Sequence, residues 1–228
     1  MNIKDFVLFE DKDIIVLNKP AGWLSIPDGY SPTLPCLKYA LAQEFGRIWV
    51  VHRLDKLTSG VILFAKNEDA HRNLNGQFNR HIISKNYRAI AHGYPIWNEK
   101  VIQIPLHVDG DRHHRTIADQ ARGKPAQTHV ILQHKNEQYC FLDIFPKTGL
   151  THQIRAHLAS CGIPVVGDRL YWRAGQIDRK HSFEYPFSFG HMYLHAYSLK
   201  VQHPLDHKSM QFFAPEPPYF KRFYHDYF

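Results

Sequence analysis

His52-Arg53-Leu54-Asp55-Lys56-Leu57-Thr58-Ser59-Gly60 is the stretch of this chain best equipped for chemistry. It holds a single carboxylate, Asp55, among His52, Arg53 and Lys56. A lone carboxylate so placed can act as a nucleophile or as a base. An apolar lead-in, Ile48-Trp49-Val50-Val51, precedes it, and Val61-Ile62-Leu63-Phe64-Ala65 follows as a run that reads as a buried strand. Asp55 is thereby predicted at a turn between two strands, where a rigid scaffold presents a side chain into a cleft. A turn aspartate that caps its own backbone through Thr58 and Ser59 accounts for the same residues.

The elements around this stretch follow from pattern. Residues 13–17 form a short β-branched strand that meets Pro20 and Gly22, and 23–32 read as an irregular loop. Leu34, Leu37, Leu41 and Phe45 recur at helical spacing until Gly46 stops them. Residues 69–78 are predicted helical, with Leu74 and Phe78 inward. Ile83 to Ala91 reads as a strand whose alternation puts Lys85, Tyr87 and Ala89 on one face, where a tyrosine is ordinarily a packed aromatic. Residues 107–126 are a polar, basic stretch that suits a solvated loop or an RNA-facing arm equally. Residues 130–132 and 139–145 pair across a turn at Asn136-Glu137. Thr151 is the expected N-cap of the next helix, with Ile154 and Leu158 toward the core, Gly162 ending it and Pro164 beyond. His152 and Arg155 lie three apart near that helix N-terminus, a place that attracts phosphate. Residues 173–190 are loop-like and carry Phe183, Tyr185 and Phe187. Two more strands (193–201 and 210–213) and a proline-introduced aromatic helix complete the chain. Many short strands with few helices predict one α+β domain over 1–228 with a largely antiparallel sheet.

Composition bounds the class. At 228 residues the chain has room for one sizeable core or two small domains. Its net charge of +7 and pI of 9.2 suit an anionic partner. The excess is concentrated: residues 71–135 hold ten Lys/Arg against four Asp/Glu, whereas residues 1–50 hold five against six. Three scattered cysteines, Cys36, Cys140 and Cys161, argue against a disulfide framework or a cysteine zinc site. There is no signal-peptide pattern and no run approaching the roughly twenty apolar residues of a membrane span, so a cytoplasmic protein is expected.

His52-Arg53-Leu54-Asp55 with Thr58-Ser59-Gly60 and Phe64-Ala65-Lys66-Asn67 resembles the active-site signature of the RluA-like pseudouridine synthases. Asn18-Lys19-Pro20-Ala21-Gly22, Lys85-Asn86-Tyr87-Arg88-Ala89, Thr148-Gly149-Leu150-Thr151-His152-Gln153-Ile154-Arg155, Gly167-Asp168, Leu194-His195-Ala196 and His203-Pro204 match further family motifs in order. The resemblance implies a mixed, mainly antiparallel sheet with flanking helices and loops around a central cleft. It implies an isomerase that turns a uridine of structured RNA, a tRNA or rRNA stem-loop, into pseudouridine without a cofactor or metal. By resemblance Asp55 is the catalytic carboxylate, Arg155 pairs with it, and Tyr87 packs on the base and assists loss of the C5 proton. Arg53 helps occupy the gap left by the flipped nucleotide. His52, Lys85, Ile62, Phe64 and His152 are the remaining substrate-binding candidates. The S4 RNA-binding domain of several relatives is not expected. Relatives commonly carry Arg where this chain has Leu150, which puts one phosphate or loop contact in doubt.

Rival chemistries fit less well. A glycosidase needs two carboxylates across the sugar. An aspartyl-phosphate enzyme would carry a second Asp at Leu57. His113-His114 and His191 with His195 offer no matching zinc set. The serious alternative is a catalytically inactive RNA-binding or RNA-folding protein of the same fold.

Overall fold

The computed structural model describes residues 2–28, 33–172 and 190–228. After a 3-10 turn (Ile3–Phe6) come β1 (Val7–Glu10), β2 (Ile14–Lys19), α1 (Leu37–Phe45), β3 (Trp49–Val50), β4 (Ser59–Ala65) and α2 (Glu68–Asn79). β5 (Ser84–His92), β6 (Glu99–Ile102), β7 (Leu106–His107), β8 (Ile117–Ala118), β9 (Thr128–Lys135), β10 (Tyr139–Pro146) and α3 (Gln153–Ser160) follow. β11 (Leu194–Gln202), β12 (Ser209–Phe213) and α4 (Pro218–Tyr227) close the chain. β4 pairs with β11 in parallel, whereas β1–β2, β2–β4, β3–β4, β11–β12, β5–β10, β10–β9, β9–β6 and β7–β8 are antiparallel, so the α+β class with a mixed, mainly antiparallel sheet holds. The chain divides into two compact units, Met1–Lys85 with His195–Glu216 and Asn86–Leu194 with Pro217–Phe228. The aromatics at 183, 185 and 187 lie outside the described residues.

In the first unit β4 explains its own sequence. β2 pairs along one edge from Gly60 to Ala65, while β11 and β3 take the two ends of the other. All seven residues are buried, so no position needs a polar side chain and the apolar run is continuous. Val61, Leu63 and Ala65 pack with Ile14 and Val16, with Ala70 and Leu74 of α2, and with Leu199, Val201 and Phe212. Asn67 caps α2 by accepting the Ala70 N–H at 2.8 Å, and Glu68 and Asp69 suit its positive end. α1 begins only at Leu37, so Leu34 precedes the helix, and Gly46 ends it with φ of 78°.

Gly60 is fixed by space as well as by φ (111°). A Cβ there would lie 2.2 Å from the carbonyl oxygen of Ala196 on β11. Gly60→Ala is therefore expected to cost well over about 1 kcal/mol, the ordinary strain of Ala at positive φ. A denaturant titration checks it, with an unchanged midpoint as the contrary result.

The second unit is a sheet in the order β5-β10-β9-β6 plus the small β7-β8 pair. Alternation divides its core. Ala89, Ala91, Cys140, Leu142 and Ile144 meet Ile154 and Leu158 of α3, whereas Ile90, Tyr139 and Tyr193 meet Phe220 and Phe223 of α4. The 107–126 stretch is not a plain loop: β7 and β8 pair within it, and Leu106 bridges to Lys124. β1 and β6, both short edge strands, carry too few residues to announce themselves. The N-cap of α3 is His152, at φ 56°, and not Thr151. Gln153 explains the difference. Its Oε1 accepts from Thr148 Oγ1 (2.8 Å) and the Leu150 N–H (3.1 Å), and its Nε2 donates to Gln127 O and Thr128 Oγ1. A buried amide thus satisfies the approach to the helix, and Thr151 turns away so that its carbonyl accepts from Thr116 Oγ1.

Candidate active site

Asp55 sits half-buried in the loop joining β3 to β4, and the residues on either side of it are clamped. Ser25 Oγ donates to the Leu54 carbonyl at 2.9 Å and accepts the Leu54 N–H at 3.1 Å. Beyond Asp55, the Lys56 carbonyl accepts from Lys19 Nζ (3.0 Å) and from the Gly22 N–H (2.8 Å). The Asp55 carbonyl accepts the Thr58 N–H at 3.1 Å and closes the turn. The segment after β2 therefore holds the carboxylate's backbone from both sides, and φ of 92° at Gly22 lets it turn there. Lys19 is fully buried. Burial pushes its amine down to about 7 against the opposing pull of Asp55.

His52 anchors the same loop one turn earlier. Its Nε2 accepts the Leu63 N–H at 2.9 Å, which puts the ring proton on Nδ1, and the ring stacks on Phe78 at 4.7 Å. Burial, with the nearby Lys85 charge, pushes it down to about 3, so it is neutral. It serves here as a strut between β4 and α2, in place of a cation. Burial also lowers Lys85, to about 8. Arg53 is exposed, while Ile62 and Phe64 are fully buried members of the unit's interior.

In the second unit Tyr87 lies half-buried on β5 opposite Ile144 of β10, against the cluster that includes Ile154. Arg155 is 7% exposed and makes a bidentate pair with Asp168, Nε to Oδ2 at 2.6 Å and Nη2 to Oδ1 at 2.8 Å. Two donors in a fork match two carboxylate oxygens, which fixes the guanidinium plane. Tyr171 lies under that plane at 5.0 Å, and its hydroxyl is shared with the Thr116 backbone and with His152 Nδ1. Leu150 packs against the apolar cluster of Leu106, Ala126, Ala156 and Tyr171. The position that the family resemblance marks for a cation is here a partly buried apolar contact.

The model of the family described as RNA pseudouridylate synthase matches residues 13–160 of this chain. The dual-specificity RNA pseudouridine synthase RluA of Escherichia coli O157:H7 is 32% identical over 210 residues, covering 92% of each chain. The chain belongs to this family. Its members are isomerases that convert uridine in RNA to pseudouridine, and this synthase is one of them. The ribosomal large subunit pseudouridine synthase D of Zymomonas mobilis is 34% identical over 220 residues, 92% of this chain and 69% of that one. Human RNA pseudouridylate synthase domain containing 1 superposes with a TM-score of 0.73 at 26% identity, covering 93% of the synthase and 83% of that chain.

Sequence reasoning on the synthase selected Asp55, Tyr87 and Arg155 but gave no role to the residues that hold them. Lys19 and Asp168 stood inside matched motifs without an assigned task, and both prove buried, at 0% and 1% exposure. A lysine beside Pro20 and an aspartate after Gly167 were the available signals. Ser25 and Tyr171 had none, because their partners lie 29 and 55 positions away.

Proposed function

We propose that the synthase isomerises a uridine in structured tRNA or large-subunit rRNA, in the cytoplasm, with Asp55 as its reacting carboxylate. The observation that carries this is the clamping of the backbone at Leu54 and Lys56, which fixes the turn that bears the Asp55 carboxylate. The reaction breaks N1–C1′ and forms C5–C1′. The base gives up its C5 proton and gains one at N1, and no electrons enter or leave. Asp55 attacks the sugar as nucleophile or removes a proton as base. The family resemblance supports Arg155 as its charge partner and Tyr87 as the group near C5. The names of the relatives point to dual specificity and to the ribosomal large subunit. Mapping pseudouridine across total RNA with and without the synthase tests the reading, and unchanged maps would overturn it.

Tyr87→Phe removes only a hydroxyl and keeps the packing against Ile144. Single-turnover rates should fall by about 10²-fold or more if that hydroxyl moves the proton. An unchanged rate would assign Tyr87 to packing alone.

The basic arm supplies a further expectation. Within it Asp109, Asp111 and Asp119 pair with His114, Arg115 and Arg122, while Arg112 and Lys124 are exposed and bear no ion pair among the described residues. Two such cations on phosphate add a slope of about −1.4 to −1.8 to log affinity against log salt. Binding of a structured RNA at low and moderate salt measures it. A slope unchanged in the Arg112→Ala/Lys124→Ala pair would remove the arm from the interface.

A further inference from the structure

Beside the turn joining β1 to β2, at the edge of the first unit, three side chains converge that the reaction does not use. Asp11 Oδ2 lies 2.9 Å from His203 Nε2, and Asp13 Oδ2 lies 4.0 Å from the same nitrogen. One atom from each residue, taken together, all fall within 4.8 Å of one another. His203 is 8% exposed and Asp13 9%.

Each carboxylate is held by one oxygen and presents the other. Asp11 Oδ1 accepts the N–H groups of Asp13 and Ile14, both at 2.8 Å. Asp13 Oδ1 accepts from Asn67 Nδ2 at 2.8 Å. Asp13 Oδ2 is buried and has no hydrogen-bond partner among the described residues. On the far side of the ring, His203 Nδ1 accepts the Leu205 N–H at 3.4 Å when unprotonated and lies 3.3 Å from Asp206 Oδ1, which it serves when protonated. A proton on Nδ1 serves Asp206 and turns the Nε2 lone pair toward two anionic oxygens. A proton on Nε2 serves Asp11 and still leaves Asp13 Oδ2 without a donor. The neighbouring ammonium does not fill the gap, because Lys66 Nζ is directed to Glu10 and to the Asp11 carbonyl. Lys208 is engaged by Asp206.

We propose that Asp11, Asp13 and His203 form a binding site for one divalent cation of the Zn²⁺ or Co²⁺ class. Ligand bonds of about 2.0–2.2 Å place neighbouring donor atoms some 3–4 Å apart, and the two carboxylate distances to His203 Nε2, 2.9 and 4.0 Å, bracket that spacing. One imidazole among the three donors selects a transition ion over Mg²⁺. Asp206 behind the imidazole, and Asn67 behind Asp13, are the outer partners that orient such ligands. The bound ion joins the turn after β1 to the turn after β11, which lie 192 positions apart between Asp11 and His203. That separation is why histidine spacing in the sequence gave no ligand set.

The test uses the full chain stripped with a chelator, then given Co²⁺ or Zn²⁺ alone. The expected result is one saturable equivalent, a d–d absorption band with Co²⁺, and a rise in Tm with Zn²⁺ that Mg²⁺ does not produce. Asp13→Asn, nearly isosteric, should weaken the site at least 100-fold. Asp206→Asn should weaken it about 10- to 100-fold. A His113→Ala/His114→Ala control should retain the equivalent. Should His203→Gln fail to fold, Asp13→Asn decides alone. Absence of a saturable equivalent, or the same equivalent in Asp13→Asn, would overturn the proposal and leave an Asp–His ion pair.

Discussion

Asp55→Asn should bring pseudouridine formation below detection, a loss of more than about 10⁴-fold, while RNA affinity holds or rises slightly. General acid–base catalysis alone contributes about 10²–10⁴-fold, and loss of a nucleophile removes the covalent route as well. The loop survives the change, because its anchors are backbone groups: the Leu54 and Lys56 carbonyls, the Leu54 N–H and the turn from Thr58 to the Asp55 carbonyl. Affinity does not fall, since a carboxylate near phosphates is repulsive and its removal relieves that repulsion. Product mapping, RNA binding and thermal melting on one preparation settle the outcome. Wild-type turnover in the variant, or loss of folding, would return Asp55 to the rank of a turn residue. An RNA-binding protein without activity would give no product before the substitution either.

Arg155→Ala carries two expected losses of different origin. It leaves Asp168, 1% exposed, with the backbone N–H groups of Leu170 and Tyr171 as its donors among the described residues. Removing one partner of such a pair costs about 3–5 kcal/mol, because a charge stays buried without its counter-ion. It also removes the cation that the family resemblance assigns to Asp55, so turnover should fall by at least about 10²-fold. The double variant Arg155→Ala/Asp168→Asn separates the two. Without the stranded carboxylate, stability should recover in part while turnover stays low. Recovery of both would make Arg155 a structural residue only. RNA affinity, measured well below either melting temperature, should change little.

The legible parts of the fold were those with a strong local signal. β4, α2 and the β9–β10 hairpin follow from an unbroken apolar run, a helical stripe and a polar turn, and each formed near its expected place. What local pattern missed was decided by distant partners. Thr151 has the chemistry of an N-cap, yet its carbonyl is held by Thr116 while Gln153 ties down the preceding turn at Thr148 and Leu150, and the helix starts one residue later. The β7–β8 pair hides in a polar stretch because two-residue strands have no period to detect. The candidate residues divide in the same way. Asp55, Tyr87 and Arg155 sit in recognisable motifs, whereas the clamp from Ser25 and the fork from Asp168 are visible only in three dimensions. His52 looks cationic in a basic cluster, but a hydrogen bond from the Leu63 backbone N–H fixes it as a neutral ring.

The glycine that lets β11 lie against β4 also orders events in time. Ser59 and His195, neighbours in that parallel pair, are 136 positions apart. At a synthesis rate of about 5–20 residues per second, β11 leaves the ribosome roughly 7–27 s after β4. Through that interval the Ser59–Gly60 end of β4 has its partner still unmade, although every residue of the strand is destined for burial. An unpaired strand end held open so long, next to the apolar run that follows it, is a template for pairing with another chain. Nascent chains halted before residue 195 are therefore expected to aggregate more readily than the full chain.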